Sequence, residues 1–86
     1  MDTAEHKHLL SKARDAKRGG DDAWSVQSTG EKLAVALVLN RADWLERMNY
    51  TIGEALDRIG TEWVGLIPHV ERALRDEDRT ESEGLA

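Results

Sequence analysis

The sequence predicts an all-α protein, a compact bundle of four to five short helices around a buried central helix at about 31–39. Three observations carry that reading. Residues 33–39 read LAVALVL, seven apolar residues in a row within a chain that is 34% charged. A helix that is apolar around its whole circumference must be covered around its whole circumference. Ser28-Thr29-Gly30-Glu31 and Thr51-Ile52-Gly53-Glu54 are both capping boxes, in which the hydroxyl accepts from the glutamate amide and the carboxylate reaches back. Finally, there is one proline, no phenylalanine, and no alternation of apolar and polar residues long enough for a strand.

A first helix is expected over about 3–18. Leu9, Leu10, Ala13 and Ala16 form a thin apolar side, with Lys7, Arg14 and Arg18 opposite. So few large apolar groups imply a helix that buries little and is loosely held. Gly19-Gly20 ends it, because glycine reaches left-handed angles cheaply. GGDDAWSVQ reads as a connector, with Trp24 alone in it. The domain division this suggests is a basic N-terminal helix at 1–20, a helical core at 21–78, and a disordered acidic tail at 79–86.

The central helix begins at the Ser28 box. Asn40 poses a fork: the helix breaks there, or it continues to about Met48 with Ala34, Val38, Leu45 and Met48 on one stripe. The break is favoured, because asparagine is a poor interior residue and a good cap, and Asp43 would then stand in the next helix's first turn. In RADWLERMN, Trp44, Leu45 and Met48 are expected inward, with Asp43 and Arg47 as an i,i+4 pair. The Thr51 box opens a short helix at 52–59 with Ile52, Ala55, Leu56 and Ile59 on one side, stopped by Gly60. Tyr50 sits just before that cap, with Ala55 as a weak staple partner. Thr61 is expected to cap a last helix at about 62–76. Trp63, Ile67, Val70 and Leu74 keep phase across Pro68, so a kink or a 3₁₀ turn is expected there; a fresh start at Pro68 would need Ile67 as a cap.

What covers the central helix is then a matter of supply. Residues 44–74 hold two tryptophans, a methionine, a tyrosine and most of the remaining aliphatics. The first helix offers only Leu9 and Leu10. An exposed apolar strip follows as an expectation, and such strips mark self-association or a partner surface. The candidate partner-binding residues are Leu9, Leu10, Trp24, Val35, Trp44 and Tyr50, with Trp24 foremost because tryptophan is enriched in interface hot spots.

Chemistry is harder to find. The chain is 86 residues long with no cysteine, which removes thiolate metal sites, disulfides and cysteine nucleophiles. His6 and His8 at i,i+2 point apart on a helix, and His69 stands alone, so no metal is expected. There is no glycine-rich phosphate loop, no cofactor motif, and no small-molecule substrate indicated. The expectation is a non-enzymatic protein. Net charge is −5, and only residues 1–20 are basic, with five Lys/Arg against three Asp/Glu. An acidic whole argues against nonspecific nucleic-acid binding. The first twenty residues carry no apolar leader core, and the longest apolar run is far short of a membrane span, so a cytoplasmic location is expected. Arginine outnumbers lysine eight to four, and alanine and glycine are abundant, a composition expected of a GC-rich bacterial genome.

The functional expectation is a small protein-binding module or regulator, of the adaptor, inhibitor or antitoxin kind, acting through an apolar strip and an acidic surface as a homodimer or on another protein. The alternative is a helix-turn-helix DNA-binding regulator using residues 51–75. Its second helix would show Glu62, Gly65, His69, Glu71 and Arg72, with no Asn or Gln to read adenine.

Overall fold

The computed structural model describes the chain from Thr3 to Leu85, with side chains through Arg79, and each of its elements is a helix. These are α1 (Ala4–Ser25), α2 (Thr29–Val38), α3 (Ala42–Arg47), α4 (Ile52–Ile59) and α5 (Thr61–Leu85). The expected all-α bundle is what the chain forms. The molecule measures 41 × 27 × 18 Å, and α5, at 25 residues, is its longest helix.

α2 lies at the centre and touches all four other helices. Leu33, Ala34, Val35, Ala36 and Val38 are buried, while Leu37 and Leu39 are half-buried against the same core. Full burial of Leu33 and Val35 contributes about 1.5–3 kcal/mol each. The Ser28 box forms in full: Ser28 Oγ accepts from the Glu31 amide at 3.2 Å, and Glu31 Oε1 accepts from the Ser28 amide at 2.9 Å.

α2 breaks at Asn40, as expected, but by a different device. Asn40 does not cap the next helix; Arg41 occupies that position without a side-chain cap bond. Asn40 instead takes a left-handed angle, φ 55. Its amide then reaches the Leu37 carbonyl at 3.2 Å, and the Arg41 amide reaches the Ala36 carbonyl at 2.8 Å. That pair of bonds is a Schellman motif, which satisfies the last carbonyls of a helix. The same device ends α3. Asn49 has φ 61, its amide bonds Glu46 O at 2.9 Å, and the Tyr50 amide bonds Leu45 O at 2.9 Å. Asparagine tolerates this angle better than other residues with a Cβ. The expected Asp43–Arg47 pair does not form. Asp43 instead holds the Arg41 guanidinium in a fork at 2.9 and 2.8 Å, and Arg47 reaches Asp21.

α1 departs most from expectation. It is not a loose appendage: Leu9, Ala13 and Ala16 are at most 1% exposed, and α1 packs on both α2 and α5. The thin apolar side is effective because alanines let helix axes approach closely. Ala34 and Ala36 on α2 and Ala55 on α4 are buried in the same way. The helix also does not end at Gly19-Gly20. Gly20 adopts φ 67, ψ −149, a kink inside the helical span, and the chain turns helical again to Ser25. Without that angle, open to glycine at little cost, Trp24 would not fold back.

α4 matches its expected bounds, with the Thr51 box complete at 3.0 Å in both directions. Its side chains do not all turn inward. Ala55 is buried, Leu56 and Ile59 are half-buried, and Ile52 is 60% exposed. Gly60, with φ 89, separates it from α5. α5 starts at Thr61 itself, and the Val64 amide bonds Gly60 O at 3.0 Å. The helix continues through Pro68, which lies on the exposed side, so water can reach the Val64 carbonyl that the proline leaves without an amide partner. Leu66, Val70 and Leu74 are buried along its inner face. The helix runs to Leu85, past the expected end near 76; the side chains of 80–86, most of the segment read as an acidic tail, lie outside the described residues.

The two Schellman motifs give a direct check. Asn40→Gly and Asn49→Gly are expected to keep or raise stability. Asn40→Val and Asn49→Val each lose about 1–2 kcal/mol, because a β-branched residue resists the left-handed angle. Equilibrium urea denaturation reads both.

Candidate partner-binding surfaces

The six residues singled out in the sequence fall into two groups. Leu9, Val35 and Trp44 are fully buried and Trp24 is 2% exposed, so none offers a surface to a partner while the bundle is closed. Leu10 and Tyr50 are half-buried, packed on the edge of the core.

Trp24 owes its position to the Gly20 kink. Its indole stacks on Trp44, centroids 4.5 Å apart and planes 14° from parallel. Trp24 Nε1 donates to the Lys32 carbonyl at 2.9 Å, and Trp44 Nε1 donates to Asp21 Oδ1 at 2.7 Å. Both polar handles are therefore satisfied within the chain. Cations roof the pair. The Arg41 guanidinium lies 4.1 Å from the Trp44 ring centre, with Lys32 and Arg47 at 5.5 and 5.8 Å from that of Trp24. Nothing in the sequence pairs these two rings: they are twenty residues apart and share no periodicity. The stack joins the α1 kink to α3 and is a closing contact of the bundle.

The histidines separate as their spacing requires. His6 is buried, while His8 points outward to Glu31, Nε2 to Oε2 2.5 Å, and lies beside Trp63 at 6.1 Å between ring centres. His69 is exposed. Among the described residues, no three His, Asp or Glu side chains converge as a metal-binding set. Among the described residues, no helix is long and apolar enough to cross a membrane.

What the surface does present was partly missed in the sequence. Ile52, at 60%, and Val26, at 83%, are the exposed large hydrophobics among the described residues. Ile52 and Leu56 lie one turn apart on one flank of α4. The apolar stripe of α4 was legible, but not that Ala55 alone would take its deeply buried position. Two of the open grooves beside α1 carry apolar side chains from the end of α2 or from the α1–α2 connector. One, of about 440 Å³, has Val38, Leu39 and Leu74 in its lining with Lys17, Arg75 and Asp78 around them. The other, of about 370 Å³, combines Val26 and Ala23 with Lys12, Arg18 and Gln27. In the second, Gln27 Nε2 donates to the Lys12 carbonyl at 2.9 Å, pinning the α1–α2 connector to α1.

The α4–α5 pair, the alternative reading unit for DNA, is joined through the single residue Gly60. A helix-turn-helix uses a turn of about three to four residues. Glu62, Gly65, His69 and Arg72 are exposed on α5, an assortment with little net positive charge.

Two carboxylates are held below their ordinary range by partners at the Trp cluster. The Trp44 indole N–H lowers Asp21, helped by Arg47 and Arg41, and the Arg41 fork brings Asp43 from 3.8 down to about 2. A depressed native pKa contributes stability that is present above the unfolded value and lost as pH falls through the native one. The urea midpoint, followed by tryptophan fluorescence, is therefore expected to drop as pH falls from about 4 to about 2. An Asp21→Asn/Asp43→Asn variant lessens that drop and leaves the part due to Glu31, Glu54 and Glu77, which their own partners also hold low. Compared with known proteins, the chain matches no family, no curated relative and no solved structure.

Proposed function

We propose that this chain is a non-catalytic protein-binding module, of the adaptor or inhibitor kind, that docks through the outer flank of α4. The observation that carries the reading is Ile52. It is a large aliphatic side chain, 60% exposed, at the first position of a helix whose start is fixed on both sides of its capping box. An apolar group held on an ordered first turn binds without a large ordering cost. Leu56, half-buried one turn on, widens the contact. A net charge of −5 would steer a basic partner toward the chain by long-range attraction. The central helix, by contrast, is buried along most of its length, with Leu37 half-buried. The helix-turn-helix alternative is less supported, given the one-residue joint at Gly60 and the mixed charge of exposed α5.

The test is retention of a partner by wild-type and Ile52→Glu protein, read by light scattering over a hundredfold range of concentration and by capture from the source cell. Ile52 is exposed enough that the substitution is expected to move folding stability by no more than about 0.5 kcal/mol. Binding, to itself or to another protein, that is lost in Ile52→Glu and weakened by salt supports the reading. Binding untouched by the substitution, or duplex DNA bound instead, contradicts it.

A further inference from the structure

α5 outruns the core. Leu74 is its last buried side chain among the described residues, yet the helix continues to Leu85. Arg75, Asp76, Asp78 and Arg79 are exposed and Glu77 is half-buried. Among the described side chains beyond Leu74, charge pairs tie this extension to the bundle. Arg14 Nε donates to Glu77 Oε1 at 3.0 Å and its NH2 to Oε2 at 2.7 Å, a two-point fork. One turn on along α1, the Lys17 ammonium donates to Asp78. Adjacent acids on one helix thus meet bases three apart on the other.

Neither pair is deep. The four side chains are between 32% and 55% exposed, so water and salt compete for them. The fork is directional enough to hold Glu77 below the ordinary carboxylate range. Lys17, Asp78 and Leu74 also border the larger groove, whose apolar lining is Val38, Leu39 and Leu74. Lifting the extension would free Arg14 and Lys17 and widen that groove in the same movement.

We propose that residues 75–79 of α5 are an electrostatic latch on α1, closed by the Arg14–Glu77 and Lys17–Asp78 pairs, and that an acidic segment of a partner protein opens it by taking over Arg14 and Lys17. The carboxylates already seated in cis define the chemistry: two acids on a helical segment, met by a guanidinium fork and an ammonium one turn apart. The inference is independent of the Ile52 surface, which lies on another helix.

Amide hydrogen exchange of the whole protein tests the latch, and a synthetic peptide of residues 75–85 tests the replacement. Raising salt from about 20 to about 500 mM is expected to speed exchange at 75–80 roughly two- to thirtyfold, while 66–74 hold steady. Glu77→Gln/Asp78→Asn protein exchanges fast there at either salt. This variant is also expected to bind the peptide more tightly than wild type, and adding Arg14→Ala and Lys17→Ala abolishes that binding. Exchange at 75–80 that ignores both salt and the substitutions overturns the latch. A latch that opens while the peptide fails to bind the Glu77→Gln/Asp78→Asn variant overturns the acidic partner.

Discussion

A helix without a polar side sets the terms for everything else. α2 cannot face water anywhere along Leu33–Val38, so the other four helices are arranged as its covering. In a chain of 86 residues there is little apolar material with which to do this. The solution is closeness more than bulk. Ala13 and Ala16 from α1, Ala34 and Ala36 from α2, and Ala55 from α4 are all at most 1% exposed. Small side chains bring helix axes together, so a single Leu9 and two alanines seal a side that seemed undersupplied.

Covering one helix with four others requires abrupt turns, and the main ones have a visible cause. Gly20 and Gly60 take positive φ, and Asn40 and Asn49 do the same at the ends of α2 and α3. Ser28 and Thr51 restart the chain with reciprocal caps. The kink at Gly20 has the longest reach, because it returns Trp24 to Trp44 and Asp21 to the Trp44 indole. Local backbone chemistry thereby fixes a tertiary contact across twenty residues.

Much of this was legible in the residues. Both capping boxes, the bounds of the helix at 52–59, the break at Asn40 and the all-α class follow from local signals that act over three or four positions. What was not legible depends on which surfaces meet. Alanine's contribution to packing cannot be weighed without knowing how near the neighbouring helix comes, and so α1 was undervalued. The Trp24–Trp44 stack has no periodic signature. The exposure of Ile52 depends on Ala55 occupying the closest contact of α4, which a helical wheel centred on the apolar stripe does not reveal. Four of the six residues singled out as a partner surface are core residues for the same reason: a large apolar residue in sequence looks alike whether it fills a core or an interface.

The bundle depends on α1 being close-packed against α2 and not loosely laid over it, and one substitution separates the two by sign. Ala13→Leu in the full chain, measured by equilibrium denaturation, is expected to cost about 1–3 kcal/mol, since a fully buried alanine leaves no room for three more carbons. If α1 were held loosely, the leucine would add apolar burial and raise stability. A gain would contradict the close-packed bundle and return the uncovered side of α2 to the list of partner surfaces.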